Sequence, residues 1–165
     1  MILINPSSIF LRNYALHSLK YIYLLFSFLI YSNLVEAQSK EEVLAKEIFE
    51  EVNEYRLDKN KTELQWNEAI SKIAQQHSQN MAQGKVKFSH AGFYNRSKMI
   101  QKSFPQKKTT AENVLFNPID AVDAVDEWFD SPGHNKNMLG DFTHTGIGVA
   151  ADRRGRYYIT QIFIR

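Results

Sequence analysis

The feature that most constrains the fold is an apolar β-hairpin pattern at the C-terminus, residues 145–165. Two apolar segments flank the polar turn DRRGR, which is typical of a hairpin. Side chains alternate between the two faces of a strand. The pattern therefore directs Ile159 and Phe163 to one face, and Tyr158, Ile162 and Ile164 to the other. Because both faces are apolar, we expect helices on both sides of a mainly antiparallel central sheet. This predicts an α+β fold, a three-layer α-β-α sandwich.

Apolar residues at helical spacing predict three longer helices before the hairpin, over residues 40–57, 67–83 and 118–130. Residues 94–101 favour a brief helix and residues 111–116 an extended segment. In the third helix, Asn117 is expected to be the N-cap and Pro118 the first helical residue. Its core-facing residues are expected to be Ile119, Val122, Val125, Trp128 and Phe129.

The N-terminal segment has the composition of a targeting sequence. Arg12 and Lys20 precede an apolar run over residues 21–31, and Val35-Glu36-Ala37 fits a cleavage site before Gln38. We therefore predict a signal peptide over residues 1–37 and one domain over residues 38–165. The protein is then secreted, extracellular or periplasmic. The alternative is an uncleaved N-terminal anchor, in which case the domain is tethered to a membrane.

Composition excludes two classes of function. The 20 basic and 18 acidic residues nearly balance, which gives no support to nucleic-acid binding. The chain contains no cysteine, which excludes thiolate catalysis and thiolate metal ligands.

The segment SPGH over residues 131–134 predicts a short helix that ends at Gly140. Ser131 is the expected N-cap and Pro132 the first helical residue. His134 then lies in the first turn, where the helix dipole disfavours the imidazolium form. A neutral imidazole is what a metal ligand or a general base requires. His77, in contrast, lies on the apolar face of its predicted helix, which is typical of a hydrogen-bonded core residue.

A series of short motifs resembles the CAP superfamily (cysteine-rich secretory, antigen 5 and pathogenesis-related proteins) in its bacterial SCP-like form. The resemblance extends from about residue 43 to residue 165, and its specificity comes from the order and spacing of the motifs. The motifs are NEYR at residues 53–56, LQW at 64–66, His77 with Met81, FSH at 88–90 with Gly92, AEN at 111–113, the segment from Trp128 to Leu139, and FT at 142–143 with GIG at 146–148.

The resemblance implies an α-β-α sandwich with a cleft. Better-known members carry a cleft tetrad of two histidines and two glutamates, of which His90 matches the first histidine and Glu112 the first glutamate. The other two positions hold Ser131 and Asp141 here. His134, in the SPGH segment of the bacterial form, is expected to occupy the same cleft. The predicted cluster is therefore His90, Glu112 and His134.

Asn113, Ser131, Asp141 and His144 are secondary site candidates; for His144, which begins a strand, a surface or rim position is favoured. The main cluster allows three interpretations. It can be a hydrogen-bonded polar cluster, it can bind a divalent metal, expected to be zinc, through His90 and His134, or it can catalyse a reaction as a metal-dependent hydrolase. Since no nucleophile motif accompanies it, enzymatic activity is the least favoured. Family members also suggest a sterol- or fatty-acid-binding module or a cell-envelope interaction domain as alternatives.

Overall fold

A mixed four-stranded sheet forms the middle layer of the protein. The structure is a computed structural model that describes residues 39–106 and 109–165, so the predicted signal segment lies outside the described residues. The helices are α1 (Lys40–Asp58), α2 (Glu68–Ala82), α3 (Phe93–Ser103), α4 (Ala121–Asp130) and α5 (Pro132–Met138). The strands are β1 (Gln65–Trp66), β2 (Thr110–Phe116), β3 (His144–Ala151) and β4 (Tyr157–Ile164). None of these helices is long and apolar enough to cross a membrane.

The strand order in the sheet is β1-β3-β4-β2. Strand β1 pairs in parallel with β3, whereas β3–β4 and β4–β2 are antiparallel. The predicted hairpin is therefore present, and the sheet is mainly antiparallel as predicted. Strand β2 lies at one edge of the sheet, and this edge matters because Glu112 is on β2.

Each face of the hairpin supports its own hydrophobic cluster. Ile159 and Phe163 pack with apolar residues of α1, α4 and α5. On the opposite face, Ile162 and Ile164 pack with Ile70 of α2 and other apolar residues of α2 and α3. The three-layer prediction is confirmed, since α1, α4 and α5 form one outer layer and α2 and α3 form the other.

Helix α2 lies against the backbone of β3 because two glycines leave room for it. A Cβ atom at Gly146 would lie 2.2 Å from the backbone nitrogen of Ser71, and one at Gly148 would lie 2.1 Å from that of Gln75. These distances are far below van der Waals contact. The glycines therefore set the spacing between α2 and the sheet.

The NEYR motif of α1 holds the segment that carries His134. The guanidinium of Arg56, 1% exposed, donates to the carbonyls of Met138 and Gly140, at the C-terminal end of α5 and just beyond it. Tyr55 donates its hydroxyl proton to Asn135 Oδ1 at 3.1 Å. The buried Arg56 side chain thus supplies partners for carbonyl groups that a helix end leaves unpaired.

The start of α4 differs from the prediction. Asp120 is the N-cap, with its side chain accepting from the backbone N–H of Asp123 at 2.9 Å. Asn117 instead takes a left-handed conformation, with φ of 59°, and its N–H donates to the carbonyl of Tyr157 at 2.7 Å. Asparagine tolerates this conformation better than most residues, so Asn117 ends β2 and the helix starts at Ala121.

The predicted apolar face of α4 was too wide. Val125 and Trp128 are buried, but Ile119 is 88% exposed, Val122 53% and Phe129 46%. The helix lies at the periphery of its layer and buries only one narrow stripe. Two alanines form part of this stripe. The buried residues of α4 are Ala121, Ala124, Val125 and Trp128.

Candidate functional site

The centre of the candidate site is a hydrogen bond between His90 and Glu112. His90 lies in the loop between α2 and α3, and its side chain is 49% exposed. Glu112 lies on β2, and its side chain is 1% exposed. His90 Nδ1 lies 3.0 Å from Glu112 Oε1. Because an ionised carboxylate only accepts hydrogen bonds, a neutral His90 carries its proton on Nδ1 and leaves Nε2 as its free nitrogen.

A buried arginine neutralises Glu112. Arg96, near the start of α3, donates from Nε to Oε2 and from Nη2 to Oε1 of this carboxylate, both at 2.7 Å. Such a forked pair is strong and geometrically specific. Both oxygens of Glu112 therefore already accept hydrogen bonds from Arg96.

The same guanidinium also holds the loop of His90. Arg96 Nη1 donates to the carbonyl of Ala91 at 2.8 Å, and Nη2 lies 3.5 Å from the carbonyl of His90. Nη1 also lies 3.2 Å from His77 Nδ1. An arginine side chain has five N–H donors, and these contacts with Glu112, His77 and the loop engage all of them.

His77 is a buried, hydrogen-bonded residue, as predicted, and is 3% exposed. Its Nδ1 faces Arg96, which can only donate, so Nδ1 accepts and the proton lies on Nε2. Nε2 donates to the carbonyl of Ser89 at 2.9 Å. Burial lowers the pKa of His77, and the nearby Arg96 charge lowers it further, although the Ser89 hydrogen bond opposes both effects. His77 thus supports the His90 loop as a neutral ring.

His134 approaches His90 from the other side of the edge strand. It lies in the first turn of α5, and the two imidazole centroids are 6.2 Å apart with an interplanar angle of 50°. The sequence predicted a neutral His134 from the helix dipole, but in the structure the main cause is a different one. Burial lowers the pKa of His134, and proximity to His90 lowers it further.

Two asparagines attach α5 to β2. Asn137 Nδ2 donates to the Asn113 side-chain oxygen at 2.9 Å and lies 3.3 Å from the carbonyl of Glu112. Asn113 Nδ2 in turn donates to the backbone carbonyl of His134 at 3.2 Å. Asn113 is fully buried, so this secondary candidate supports the backbone of His134 and does not face the cleft opening.

The other secondary candidates are used elsewhere. Ser131 is the N-cap of α5, although its side chain makes no capping hydrogen bond. Asp141 is exposed and pairs with Arg165 at the chain end. His144 begins β3, two strands away from β2, and its Nδ1 lies 2.9 Å from Thr143 Oγ1. These three residues are not part of the contacts between His90, Glu112 and His134.

Arg96 is the site residue that sequence reasoning missed. The signal that could have revealed it is its position four residues before Ile100, which places both side chains on one face of α3. Both residues are buried. A charged residue on a buried helix face requires a charged partner, and the motif match had already identified a candidate in Glu112.

The chemistry available at the cleft follows from these contacts. Glu112 orients His90 and is not free to ligate a metal, whereas His90 Nε2 and the His134 ring remain available. Across the described ranges, no group of three or more histidine, aspartate or glutamate side chains has the geometry of a metal site. Ser89, beside His90, donates its hydroxyl proton to the carbonyl of Lys87 and accepts from the N–H of Ala91, as a turn residue does.

Comparison with known proteins identifies relatives of the domain. The model of the CAP (cysteine-rich secretory protein) family matches residues 49–163. An uncharacterized membrane protein, YlbC of Bacillus subtilis (strain 168), is 31% identical over 123 residues, which cover 73% of this chain and 34% of that protein. The chain therefore spans about a third of this relative.

Two solved structures support the same fold. An extracellular SCP-domain protein from Bacillus anthracis str. Ames is 30% identical with a TM-score of 0.65, over 76% of this chain and 41% of that one. An outer surface protein from Borrelia burgdorferi has a TM-score of 0.62 at 18% identity, over 73% and 90% of the two chains, and this likeness concerns the fold alone. Because the family model spans more than half of its length, the chain belongs to the CAP, or cysteine-rich secretory protein, family.

Proposed function

We propose that the protein is an exported CAP domain that binds a divalent metal ion, most readily zinc, between His90 and His134. The observation that carries this proposal is the 6.2 Å separation of the two imidazole centroids, together with the bond that fixes His90 Nδ1 on Glu112. A histidine ligand commonly donates its second ring nitrogen to a carboxylate in this way. Imidazole nitrogens also suit zinc.

The donor set fits a weak, open site. Two imidazoles bound tetrahedrally to one zinc ion have ring centroids about 5 Å apart, given Zn–N bonds of about 2 Å. The rings would therefore have to approach each other by about 1 Å. Since Glu112 is held by Arg96, the protein offers two ligands, and water or a bound ligand completes the coordination. We expect exchangeable binding, unlike the closed four-ligand site of a structural zinc.

Calorimetric titration of the purified protein with zinc tests this function. Wild type should bind one ion, and the double variant His90→Ala/His134→Ala should bind none. Binding should weaken as the pH falls below about 6.5, because protons compete for the imidazoles. The matched control is His144→Ala on β3, which should bind as wild type does. Equal binding by wild type and the double variant would reject the site.

Export is a separate part of the proposal. The charged start, the apolar run and Val35-Glu36-Ala37 predict that the mature chain begins at Gln38. A relative that is itself extracellular is consistent with this. N-terminal sequencing of protein from the producing cells should find Gln38 or a close neighbour. Intact Met1 in a membrane fraction would favour the anchor alternative instead.

Metal binding is favoured over the alternative functions by specific contacts. Ser89 does not serve as a nucleophile, because its hydroxyl is used within its own turn, so hydrolysis would depend on a metal-bound water. For a sterol or fatty acid, a cavity of about 570 Å³ beside α1 offers a mixed lining that includes Phe49, Leu57 and Leu64. A second cavity, of about 360 Å³ between α1 and the start of α4, has the wrong chemistry. Its lining consists mainly of carboxylates, from Glu47, Glu50, Glu51, Glu54 and Asp120. The envelope-interaction alternative is compatible with metal binding.

A further inference from the structure

We propose that Arg96 is a positioning residue for His90, acting through Glu112. Its forked contact removes Glu112 from the possible metal ligands and makes this carboxylate the fixed acceptor for His90 Nδ1. The inference rests on the proposed function only where zinc is used as a probe. The protonated nitrogen of His90 can be observed without any metal.

The geometry around Glu112 supports this assignment. Oε2 accepts from Arg96 Nε, and Oε1 accepts from both Arg96 Nη2 and His90 Nδ1. The carboxylate therefore lies between a buried cation and the imidazole, with no freedom to rotate toward a ligand without breaking the forked pair. If the pair were broken, the carboxylate of Glu112, whose side chain is 1% exposed, would remain buried without the compensating charge of Arg96.

Arg96 also fixes the backbone that carries His90. Through Nη1 and Nη2 it contacts the carbonyls of Ala91 and His90, and through His77 it is linked to the carbonyl of Ser89. Ring orientation and loop position thus depend on one guanidinium. Lysine has three donors on a single nitrogen and cannot reproduce this planar fork. A conservative Arg96→Lys change should therefore fail to preserve the arrangement.

Gly92 provides the space that Arg96 needs. It is the residue before α3, with φ of 80°, and a Cβ atom there would lie 3.2 Å from Arg96 Nη1. The left-handed conformation and this close approach both favour glycine. The helix start is therefore adapted to the position of the guanidinium.

Nitrogen-15 NMR of the histidine rings is the first test, and it reads the wild-type protein, with substitutions used only to assign the signals. In metal-free wild type at about pH 8, well above the usual histidine pKa, His90 should carry its proton on Nδ1 and His77 on Nε2. His90→Ala and His77→Gln spectra assign the two rings. A His90 ring that is protonated on Nε2, or that exchanges equally between both forms, would overturn the proposal.

The second test compares Arg96→Lys and Arg96→Gln with Arg156→Gln. Arg156 pairs with Asp152 in the hairpin turn. Its substitution is the control, because it removes an arginine ion pair away from the site. Both Arg96 variants should lose the fixed Nδ1–H form of His90, and their zinc affinity should fall about 10- to 100-fold, the usual cost of losing a partner that orients a metal ligand. The control should change neither property.

The outcomes separate the two proposals. If Arg96→Lys folds and retains both the Nδ1–H form and a zinc affinity within twofold of wild type, Arg96 does not position His90. If the Arg96 variants do not fold, the wild-type spectrum still tests the arrangement, because a His90 ring protonated on Nε2 overturns the proposal. If wild type binds no zinc but the Arg96 variants lose the Nδ1–H form that wild type shows, the metal function fails and the positioning by Arg96 stands.

Discussion

At the scale of single residues, His77 links the acidity of the solution to the arrangement of the site. Its ring is buried and neutral, and each nitrogen has a defined partner, Arg96 for Nδ1 and the Ser89 carbonyl for Nε2. A second proton would place a positive charge on Nδ1 against the guanidinium. Protonation of His77 therefore opposes the native contacts of Arg96.

Stability should consequently fall as the pH drops below about 6.5, the usual histidine value. The pKa of His77 is lowered in the native state, so in this range the unfolded chain binds more protons than the native one, and acid favours unfolding. His134 contributes with the same sign. His77→Gln, which retains one acceptor and one donor, should lose less stability between pH 7 and pH 5 than wild type in urea titrations. An unchanged pH dependence would contradict this account.

Trp128 should be the most costly position of α4. It is fully buried in the larger core, and its ring nitrogen lies 3.4 Å from the carbonyl of Val114. Trp128→Ala should lower the free energy of unfolding by about 3–5 kcal/mol. Phe129→Ala is the neighbouring control, because Phe129 is 46% exposed, and its loss should cost clearly less. Chemical denaturation of both variants provides the comparison, and equal costs would contradict it.

At the scale of elements, the packing of α2 on β3 leaves no space for a side chain at Gly148. Gly148→Ala places a Cβ atom 2.1 Å from the backbone of Gln75, so the helix must move away from the sheet. We expect a loss of at least about 1–3 kcal/mol, the range for overpacked cores. Gly133→Ala in α5 has no atom within 4 Å of the new Cβ and should be nearly neutral. Denaturant midpoints of the two variants test the difference.

The hairpin shows what could be predicted from the sequence. Alternation along residues 157–165 assigned Ile159 and Phe163 to one core and Ile162 and Ile164 to the other, and both assignments are confirmed. Period-two alternation works here because both faces of the sheet are covered. In α4, apolar character alone did not reveal which residues are covered, since a peripheral helix buries only a narrow stripe.

The candidate site was predictable only in part. His90 and Glu112 were recognisable from short motifs, but their hydrogen bond joins residues 22 positions apart. The spacing of Arg96 and Ile100 indicates a buried position for Arg96, but no local pattern shows that its side chain meets Glu112. Such pairing depends on how α3 lies on β2, which is a property of the tertiary structure.

At the scale of the whole molecule, charge is unevenly distributed. Glu51 on α1 lies near Glu54, Asp126 and Asp120, and its pKa is raised first by burial and then by these carboxylates. A raised carboxyl pKa means that the native state binds more protons than the unfolded chain above pH 4.5. The ionised form of Glu51 therefore opposes folding at neutral pH.

Glu51→Gln should accordingly raise the melting temperature at pH 7, with a gain in stability below about 0.5 kcal/mol, as is usual for surface changes. Salt provides an internal control. Added sodium chloride screens the repulsion among exposed carboxylates, so it should raise the melting temperature of wild type more than that of the variant. A lower melting temperature for the variant at low salt would contradict this interpretation.

The position of the two imidazoles on opposite sides of the edge strand has a mechanical consequence. His90 belongs to the loop between α2 and α3, whereas His134 belongs to α5 in the other outer layer. A ligand bound by both rings would link these two layers at the edge of the sheet. Since any ligand that binds only the native state stabilises it, hydrogen exchange should slow in α3 and in α5 together. Ligand binding at the cleft would then stabilise both outer layers of the domain, although the two imidazoles lie only at the edge of the sheet.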